Sequence, residues 1–435
     1  MNVRRKRRLL RLTAVAAATM VIAGCVASPA VSTDPFAELN PYLTAASPES
    51  ATTPEPTIEP TPDPASIDIP ITIAATGDML SHQPLTNAAT RPDGSVHIKD
   101  RMFGVQPFIS NADLALCHLE IPFAKTRAQM DNYPEFAAPP EWIDDIRDLG
   151  FDGCSSASNH LWDKRLPGLN NTIDMMRQAG LGQAGTNKSP DQPPYQLYQL
   201  HREGRDLTIA HLSLTYGTNH GVIPEIQRKP WIANLGDPDR AIAEAKDARA
   251  HGADIVIVSM HHGTEYRTDP LPGQLEWAQK FADSGEIDLV LGHHAHVPQP
   301  VREYPRPGKP SMWVYFGVGN LISAQRPDMG VLTQVSVIAL PTLHVNGLGQ
   351  VTATDANWVP LVFDRPSFTL YSLDALQKSA SEAQIPAPRS APATLVGYVD
   401  KARKVLGEQG HETAQIPTPS GPLPAVVPRD PQPAR

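Results

Sequence analysis

The 435-residue sequence predicts an α/β fold with a largely parallel core. Three observations carry that expectation. Short apolar runs alternate with helix-like segments through the middle of the chain, the pattern of βαβ units. The helix-like segments are bounded by start and stop residues. The apolar runs end in glycine or a polar side chain, as buried parallel strands do where they open into a crevice.

The chain begins with a basic MNVRRKRRLLRL and an apolar TAVAAATMVIAGC, together the two parts of a signal peptide, residues 1–25. Its end, Ile22-Ala23-Gly24-Cys25, resembles the bacterial lipobox, which implies cleavage before Cys25 and lipid on its thiol. The alternative is an uncleaved single-pass anchor. Against it, the apolar run from Leu12 to Ala23 is short beside the ~20 residues that span a bilayer. Both readings place the rest of the chain outside the cytoplasm, and the first anchors it as a lipoprotein to the outer face of the cell membrane.

Residues 26–66, with stretches such as ATTPEPTIEPTPDPAS, hold too few large apolar side chains to offset ordering entropy. They read as a disordered, proline-extended stalk. The folded domain is expected over 67–365, a helical extension over 366–412, and a second Pro-rich disordered tail over 413–435. The net charge of −9 grows more negative once the basic leader is removed. Sequence-independent affinity for nucleic acid comes from basic patches, so no nucleic-acid partner is expected. Besides Cys25 there are only Cys117 and Cys154, each in a strand-like run. They read as small buried hydrophobes, with a single bridge between them left open.

Within the domain, IDIPITIAATGD, ADLALCHLE, FDGCSSASNH, DLTIAHLSLTYG, ADIVIVSMHHG, IDLVLGHHAH and SMWVYFGVGN are the expected strands. PEWIDDIRDLG, LPGLNNTIDMMRQAG, DPDRAIAEAKDARAHG and LPGQLEWAQKFADSG are the expected helices. Asp237 before Pro238 marks a start, and Gly150, Gly180, Gly252 and Gly285 mark stops. After Arg326 the pattern alternates around the turn NGLG, in GVLTQVSVIALP, QVTATDANWV and LVFD, which reads as antiparallel strands completing a second sheet. APATLVGYVDKARKVLGEQG reads as a terminal helix.

Polar residues recur where apolar runs end: Asp78, then His82; Glu120; Asn159 and His160; His261 and His262; His293, His294 and His296. Taken singly, each has a plain explanation as a strand end, an Asx turn or a loop histidine. Taken together, they fall at one topological position, where ligands bind in open α/β sheets. Carboxylate, amide oxygen and imidazole suit one or two divalent ions of Mn, Fe or Zn rather than Ca or Mg, and a pair of ions would support hydrolysis of a phosphate or similar ester.

The ordered set GDML, HLE, SNHLWD, HHGTEY, GHHAHV and FGVGNL resembles the CapA family of capsule (poly-γ-glutamate) synthesis proteins. That family's usual forms are GDIML, NLE, NNHxxD, HWGxEY, GHHPHV and YSLGNF, and the resemblance runs from about Ile71 to Ser323. It implies kinship with the calcineurin-type metallophosphoesterases, hence a four-layer α-β-β-α sandwich of two mixed sheets. By motif, Asp78, Glu120, Asn159, His261, His294 and His296 are implied as metal ligands and His160 as the acid that protonates a leaving group. Glu265 and Tyr266 fall in the matching EY. Leu80 stands where the phosphoesterases place a histidine, which the CapA pattern also lacks, so one metal is expected to be weakly held or absent unless His82 reaches in from its loop. His118 and His262 stand where the family has asparagine and tryptophan. His262 reads as a surface substitution rather than an added ligand, and His-x-His spacing favours His294 over His293 as the inner ligand.

Two functions follow from these features. One is a membrane-tethered, metal-dependent hydrolase acting in synthesis or export of an anionic surface polymer, with that polymer and membrane-bound polymer-synthase proteins as partners. The other is a non-catalytic component that binds polymer or partners and keeps the metal pocket as a relic. Fold resemblance alone does not decide between them.

Overall fold

The computed structural model describes residues 63–429 apart from Ala380 and Ala383. The signal peptide, Cys25 and all but the end of the expected stalk lie outside the described residues.

Two mixed sheets lie face to face. In the first, Ile69–Met79 is central; Leu114–His118, Gly153–Ser155 and Gly182–Ala184 continue parallel on one side of it. Val335–Ala339, Asn357–Asp364 and Thr369–Ser372 continue antiparallel on the other. The second sheet has a parallel ladder of Arg205–Thr215, Ile255–His261, Leu289–His293 and Lys309–Tyr315. Gln196–Arg202 and Val301–Arg306 flank it antiparallel.

The two-residue period of a strand explains the layers. Ile71, Ile73 and Ala75 of the first sheet meet Ile209, Ile257, Leu289 and Leu291 of the second. The alternate residues Ala74, Ala115 and Cys117 face Trp142, Ile146 and Met176 of the helices Trp142–Leu149 and Arg165–Gln178. Val256, Val258 and Val290 turn outward to Ala241, Ala245, Trp277 and Phe281 of Pro238–Ala250 and Pro272–Ser284. The result is the four-layer α-β-β-α architecture expected. Helices begin and end where their boundary residues indicate. The Asp237 carboxylate accepts the Arg240 N–H at 2.9 Å, and Gly150 and Gly285 take the left-handed φ of 95° and 67°.

Four features differ from expectation. The strands from Val335 to Ser372 extend the first sheet and leave the second to residues 196–315 and Ala425–Val426, because Ile69–Met79 has a free side that Val335–Ala339 takes. Cys117 and Cys154 are buried as expected but stand directly opposite in register and are joined as a disulfide. The Pro-rich segment from Thr413 to Arg429 is no free tail: Ala425–Val426 pairs with the Gln196–Arg202 edge. Main-chain pairing at an edge needs no large side chains, so composition alone misjudges such a segment. The helical extension also supplies a strand of the first sheet, Thr369–Ser372, and its helix Pro392–Leu406 sets Leu395, Val399 and Ala402 against Val335, Val362 and Tyr371. Among the described residues, no helix is long and apolar enough to cross a membrane.

Candidate metal centre

The carboxyl ends of the parallel strands from both sheets meet. Asp78 lies in register with His118 on the first sheet, and His261 with His293 on the second. Two close approaches bring the turns together. A Cβ on Gly77 would sit 1.9 Å from the Gly319 carbonyl oxygen, and one on Gly292 would sit 1.9 Å from that of Phe316, so only glycine fits at either. Beyond Gly292 the chain turns sharply, with His294 and His296 at φ of 85° and 58°. Non-glycine residues in that region cost about 1–3 kcal/mol each and persist where the surroundings hold them.

Nine donor residues converge. Potential ligand atoms of Asp78, His118 and His293 lie within 4.8 Å of one another, as do those of Glu120, His261 and His294. Asp78, Glu120 and His296 form a third such group that joins the two, and Glu265, His294 and His296 form a fourth at the rim. His296 Nδ1 is 3.0 Å from Asp78 Oδ2, and His293 Nδ1 is 3.6 Å from Asp78 Oδ1. Asn159 Oδ1 is 2.9 Å from His261 Nε2.

Burial and mutual charge set the protonation states. Burial pushes the Asp78 carboxyl up, but the imidazoles of His293 and His296 outweigh it and hold the group well below the usual carboxylate range. Glu120 goes the other way: burial drives it well above that range despite the charge of His296. Burial, then neighbouring imidazoles, depress His118 and His261 strongly and His294 to about 3. Burial also lowers His296, but Glu120 and Asp78 together raise it to about 10.

The residues fit a divalent cation. Asp78 Oδ1, both oxygens of Glu120, both ring nitrogens of His293 and Nδ1 of His294 are buried with no hydrogen-bond partner. Buried polar atoms are almost always satisfied, so this many orphans facing one point mark a place for a cation. Tautomers agree. Ser155 Oγ donates to the Cys117 carbonyl oxygen at 3.4 Å and so accepts from His118 Nδ1 at 2.7 Å. His118 Nε2 then accepts from His261 Nδ1 at 2.9 Å, which leaves the His261 Nε2 lone pair beside the Asn159 carbonyl oxygen.

All six residues implied as ligands, Asp78, Glu120, Asn159, His261, His294 and His296, come together here. His293 is as central as His294, being stacked on His118 with ring centroids 4.1 Å apart. Glu265 is exposed at the rim, and Tyr266, at φ 65°, stands 5.9 Å from the His296 ring. His82 does not reach in: its Nδ1 accepts the Ala324 N–H at 3.3 Å, and the ring sits edge-on to Phe136. His262 packs on Trp277 at 4.4 Å, outside all four groups. His160 lies beside the centre, its Nδ1 2.7 Å from Asp163 Oδ2 and its ring against Phe136.

Two participants escape motif reasoning. His118 stands where the family has asparagine, yet it is the last residue of the strand Leu114–His118, whose carboxyl end opens on the centre just before Glu120. Asn320 holds His296: its Oδ1 is 3.0 Å from His296 Nδ1, and its Nδ2 donates to the His296 carbonyl oxygen.

The family model described as bacterial capsule synthesis protein PGA_cap matches residues 72–325. The PGA biosynthesis protein CapA of Bacillus subtilis (strain 168) is 26% identical over 253 residues, which cover 58% of this chain and 63% of that protein. The capsule biosynthesis protein CapA of Bacillus anthracis is 27% identical over 228 residues, covering 51% and 53%. The chain thus spans less than two thirds of the length of these relatives. Among solved structures, the NAD nucleotidase of Haemophilus influenzae is similar at 11% identity and TM-score 0.42, over 80% of this chain and 65% of that one. The calcineurin-like phosphoesterase YfkN from Bacillus subtilis is similar at 13% and 0.38, over 78% and 98%. Since the family model covers more than half of its residues, the chain belongs to the bacterial capsule synthesis protein family PGA_cap.

Proposed function

We propose that this chain is a metal-dependent hydrolase of phosphoester-like bonds, tethered outside the cytoplasm and acting in assembly or export of an anionic surface polymer of the poly-γ-glutamate type. The observation that carries the reading is the convergence of buried donors, Asp78 and His293 on one side and Glu120, His261 and His294 on the other, with Asp78, Glu120 and His296 joining them, while His118, both of whose ring nitrogens are hydrogen-bonded, orients His261. Asn159 completes the set. Divalent ions of Mn, Fe or Zn held there would supply Lewis acidity toward an ester oxyanion and a water of lowered pKa.

The chain's own residues supply the rest. The Asp163 carboxylate accepts from His160 Nδ1 and from the Phe136 N–H, both at 2.7 Å, which fixes the ring and its tautomer. His160 Nε2 is then the atom that exchanges a proton with a leaving group. Asn219 Nδ2, 3.3 Å from that nitrogen, and the Phe136 ring restrict its motion and its access to water.

Support for the polymer comes from the names of the relatives, both tied to capsule or PGA biosynthesis. Support for the tether comes from the lipobox-like run at Cys25, through which the partners would be the cell membrane and membrane proteins of a polymer synthase. Cys25→Ser is expected to leave the chain out of the membrane fraction.

The hydrolase reading is tested by turnover of p-nitrophenyl phosphate and its diester by the metal-loaded chain. His160→Ala is expected to lower kcat by roughly 100-fold or more with metal content unchanged. One observation favours the second reading, a non-catalytic binding component: Leu80 is apolar where phosphoesterases have a histidine, and His82 turns away to Ala324. Full metal loading with no turnover on any ester would select it.

A further inference from the structure

A further imidazole stands behind the acid His160. Asp163 is buried, and its two carboxylate oxygens are held from different directions. Oδ2 accepts from His160 Nδ1 and from the Phe136 N–H, both at 2.7 Å, so those two contacts share a single oxygen. Oδ1 is left to His220, whose Nε2 stands 3.2 Å away. A carboxylate accepts and does not donate, so His220 Nε2 carries a proton. Arg165 Nη1 lies 3.3 Å from each nitrogen of that ring, and since arginine only donates, the bare Nδ1 is its acceptor. One tautomer of His220 thus serves both neighbours.

His220 comes from the other sheet. His160 and Asp163 follow the strand Gly153–Ser155 of the first sheet, whereas His220 lies in the loop after Arg205–Thr215 of the second. That loop is pinned beside the acid. The Asn219 N–H donates to the Asn159 carbonyl oxygen at 2.9 Å, and Thr218 and Gly221 close a turn around His220 with two hydrogen bonds of 3.1 Å. Behind the ring, Arg165 donates to the Trp162 carbonyl oxygen at 3.1 Å and to Glu135 Oε1 at 3.2 Å. Arg165 itself sits at φ 56°, a conformation that non-glycine residues keep where their surroundings hold them. The chain of contacts runs inward from the exposed Arg165 through the half-buried His220 to the buried Asp163 and then to His160.

Two pins hold a carboxylate where one does not. The Cβ–Cγ torsion of an aspartate is broad, without the staggered wells that fix an aliphatic side chain, so contacts at Oδ2 alone leave the group free to turn about that bond. Among the described residues, no hydrogen bond other than that of His220 reaches Oδ1. Without His220 this oxygen would be buried and unpaired, and the group would turn to find a partner. That rotation takes Oδ2 off the line to His160 Nδ1 and frees the imidazole to swing. A proton donor works only within hydrogen-bond reach of the leaving oxygen, so the error passes directly into the chemistry.

We propose that His220 is a positioning residue for His160: by holding Asp163 Oδ1, it fixes the carboxylate that aims His160 Nε2 at the leaving-group oxygen. The inference rests on the hydrolase reading above, and it ties the second sheet to the acid of the first. Its contribution grows with the basicity of the leaving group, since a more basic oxygen draws more on the donated proton.

The test compares two aryl esters on the full-length, metal-loaded chain. p-Nitrophenolate is less basic than phenolate, so its departure draws less on the proton donor. His220→Ala is expected to lower kcat by about 10-fold or more on phenyl phosphate and by less than about 3-fold on p-nitrophenyl phosphate, with KM and metal content unchanged. His220→Gln, whose amide presents an N–H in place of Nε2, is expected to recover most of the loss. An equal fall on both esters, or no fall, in a folded and metal-loaded His220→Ala chain would overturn the proposal, as would a glutamine variant no better than the alanine one. NMR of isotopically labelled histidine decides the matter without turnover. In the wild type a proton is expected on His220 Nε2 and another on His160 Nδ1, and His220→Ala is expected to speed exchange of the latter by about 10-fold or more. A bare Nε2 on His220 in the wild type would overturn the proposal even if neither variant folded. A wild-type chain that turns over no ester would overturn the hydrolase reading, whereas unchanged exchange at His160 in the alanine variant would overturn the positioning by His220.

Discussion

A carboxylate buried with neither oxygen hydrogen-bonded, as at Glu120, costs several kcal/mol unless a proton or a cation compensates it. The same holds for Asp78 Oδ1 and for the two bare nitrogens of His293, so the demand for a cation is written residue by residue. His118 has a distinct part, because its Nε2 bond to His261 Nδ1 fixes which nitrogen of His261 keeps a lone pair. His118→Ala is expected to weaken metal affinity by about 10–100-fold rather than abolish it, and competition with a metal-sensitive dye would measure the loss. Asp152 gives a prediction remote from the centre. Burial pushes its carboxyl up to about 7, partly offset by the Ala115 N–H it accepts at 2.7 Å. The folded chain therefore holds that proton more tightly than the unfolded chain, whose value is about 4, so stability falls as pH rises from about 4 to about 7 and stays lower above. Asp152→Asn keeps the acceptor and is expected to recover roughly 2 kcal/mol at pH 8 and little at pH 4, read from urea midpoints. Asp78, Glu120 and the histidines were legible because each ends an apolar run. His118 was legible only as a departure from a pattern, since its role depends on a ring from the other sheet, 143 positions away.

At the scale of elements, strands buried on both faces announce themselves as unbroken apolar runs, and most strands of the parallel ladders are visible in that way, whereas Gly182–Ala184, with the sequence GQA, is too short and too polar to be seen. Gln196–Arg202 escapes, since it alternates buried and partly exposed residues and reads as a polar connector. The side of the sheet taken by Val335–Ala339 also escapes, because pairing with Ile69–Met79 is decided more than 250 positions away. What the elements contribute to chemistry is close approach. Gly292→Ala would drive a methyl group into the backbone carbonyl oxygens of Phe316 and Tyr315, neither the end of a flexible side chain. It is expected to cost roughly 3 kcal/mol or more and to lower metal affinity as well, since His293 and His294 follow directly. Thermal unfolding with and without added Mn would separate the two effects.

Across the whole molecule, the two sheets are joined at one end by the imidazoles and carboxylates of the candidate centre and along one side by residues 413–429. An ion that binds the folded chain alone stabilises it by about 2.7 kcal/mol at a hundredfold excess over its Kd, so chelation is expected to lower the melting temperature by several degrees. The α/β class and the placement of the centre at strand ends were legible in the sequence through the alternation of elements and the recurring polar ends, whereas the four-layer architecture was legible only through the resemblance to the CapA family. Which of Mn, Fe or Zn binds was not, because a mixed set of imidazole and carboxylate donors accommodates each of them. The most direct test of the central claim is the metal content of the purified chain by elemental analysis, beside an Asp78→Ala, His294→Ala double variant shown to be folded. Two equivalents of Mn, Fe or Zn per wild-type chain, lost in the variant, are the predicted result. A wild-type chain that is folded yet takes up no divalent metal when supplied with it, or that binds as much as the variant does, would contradict the account.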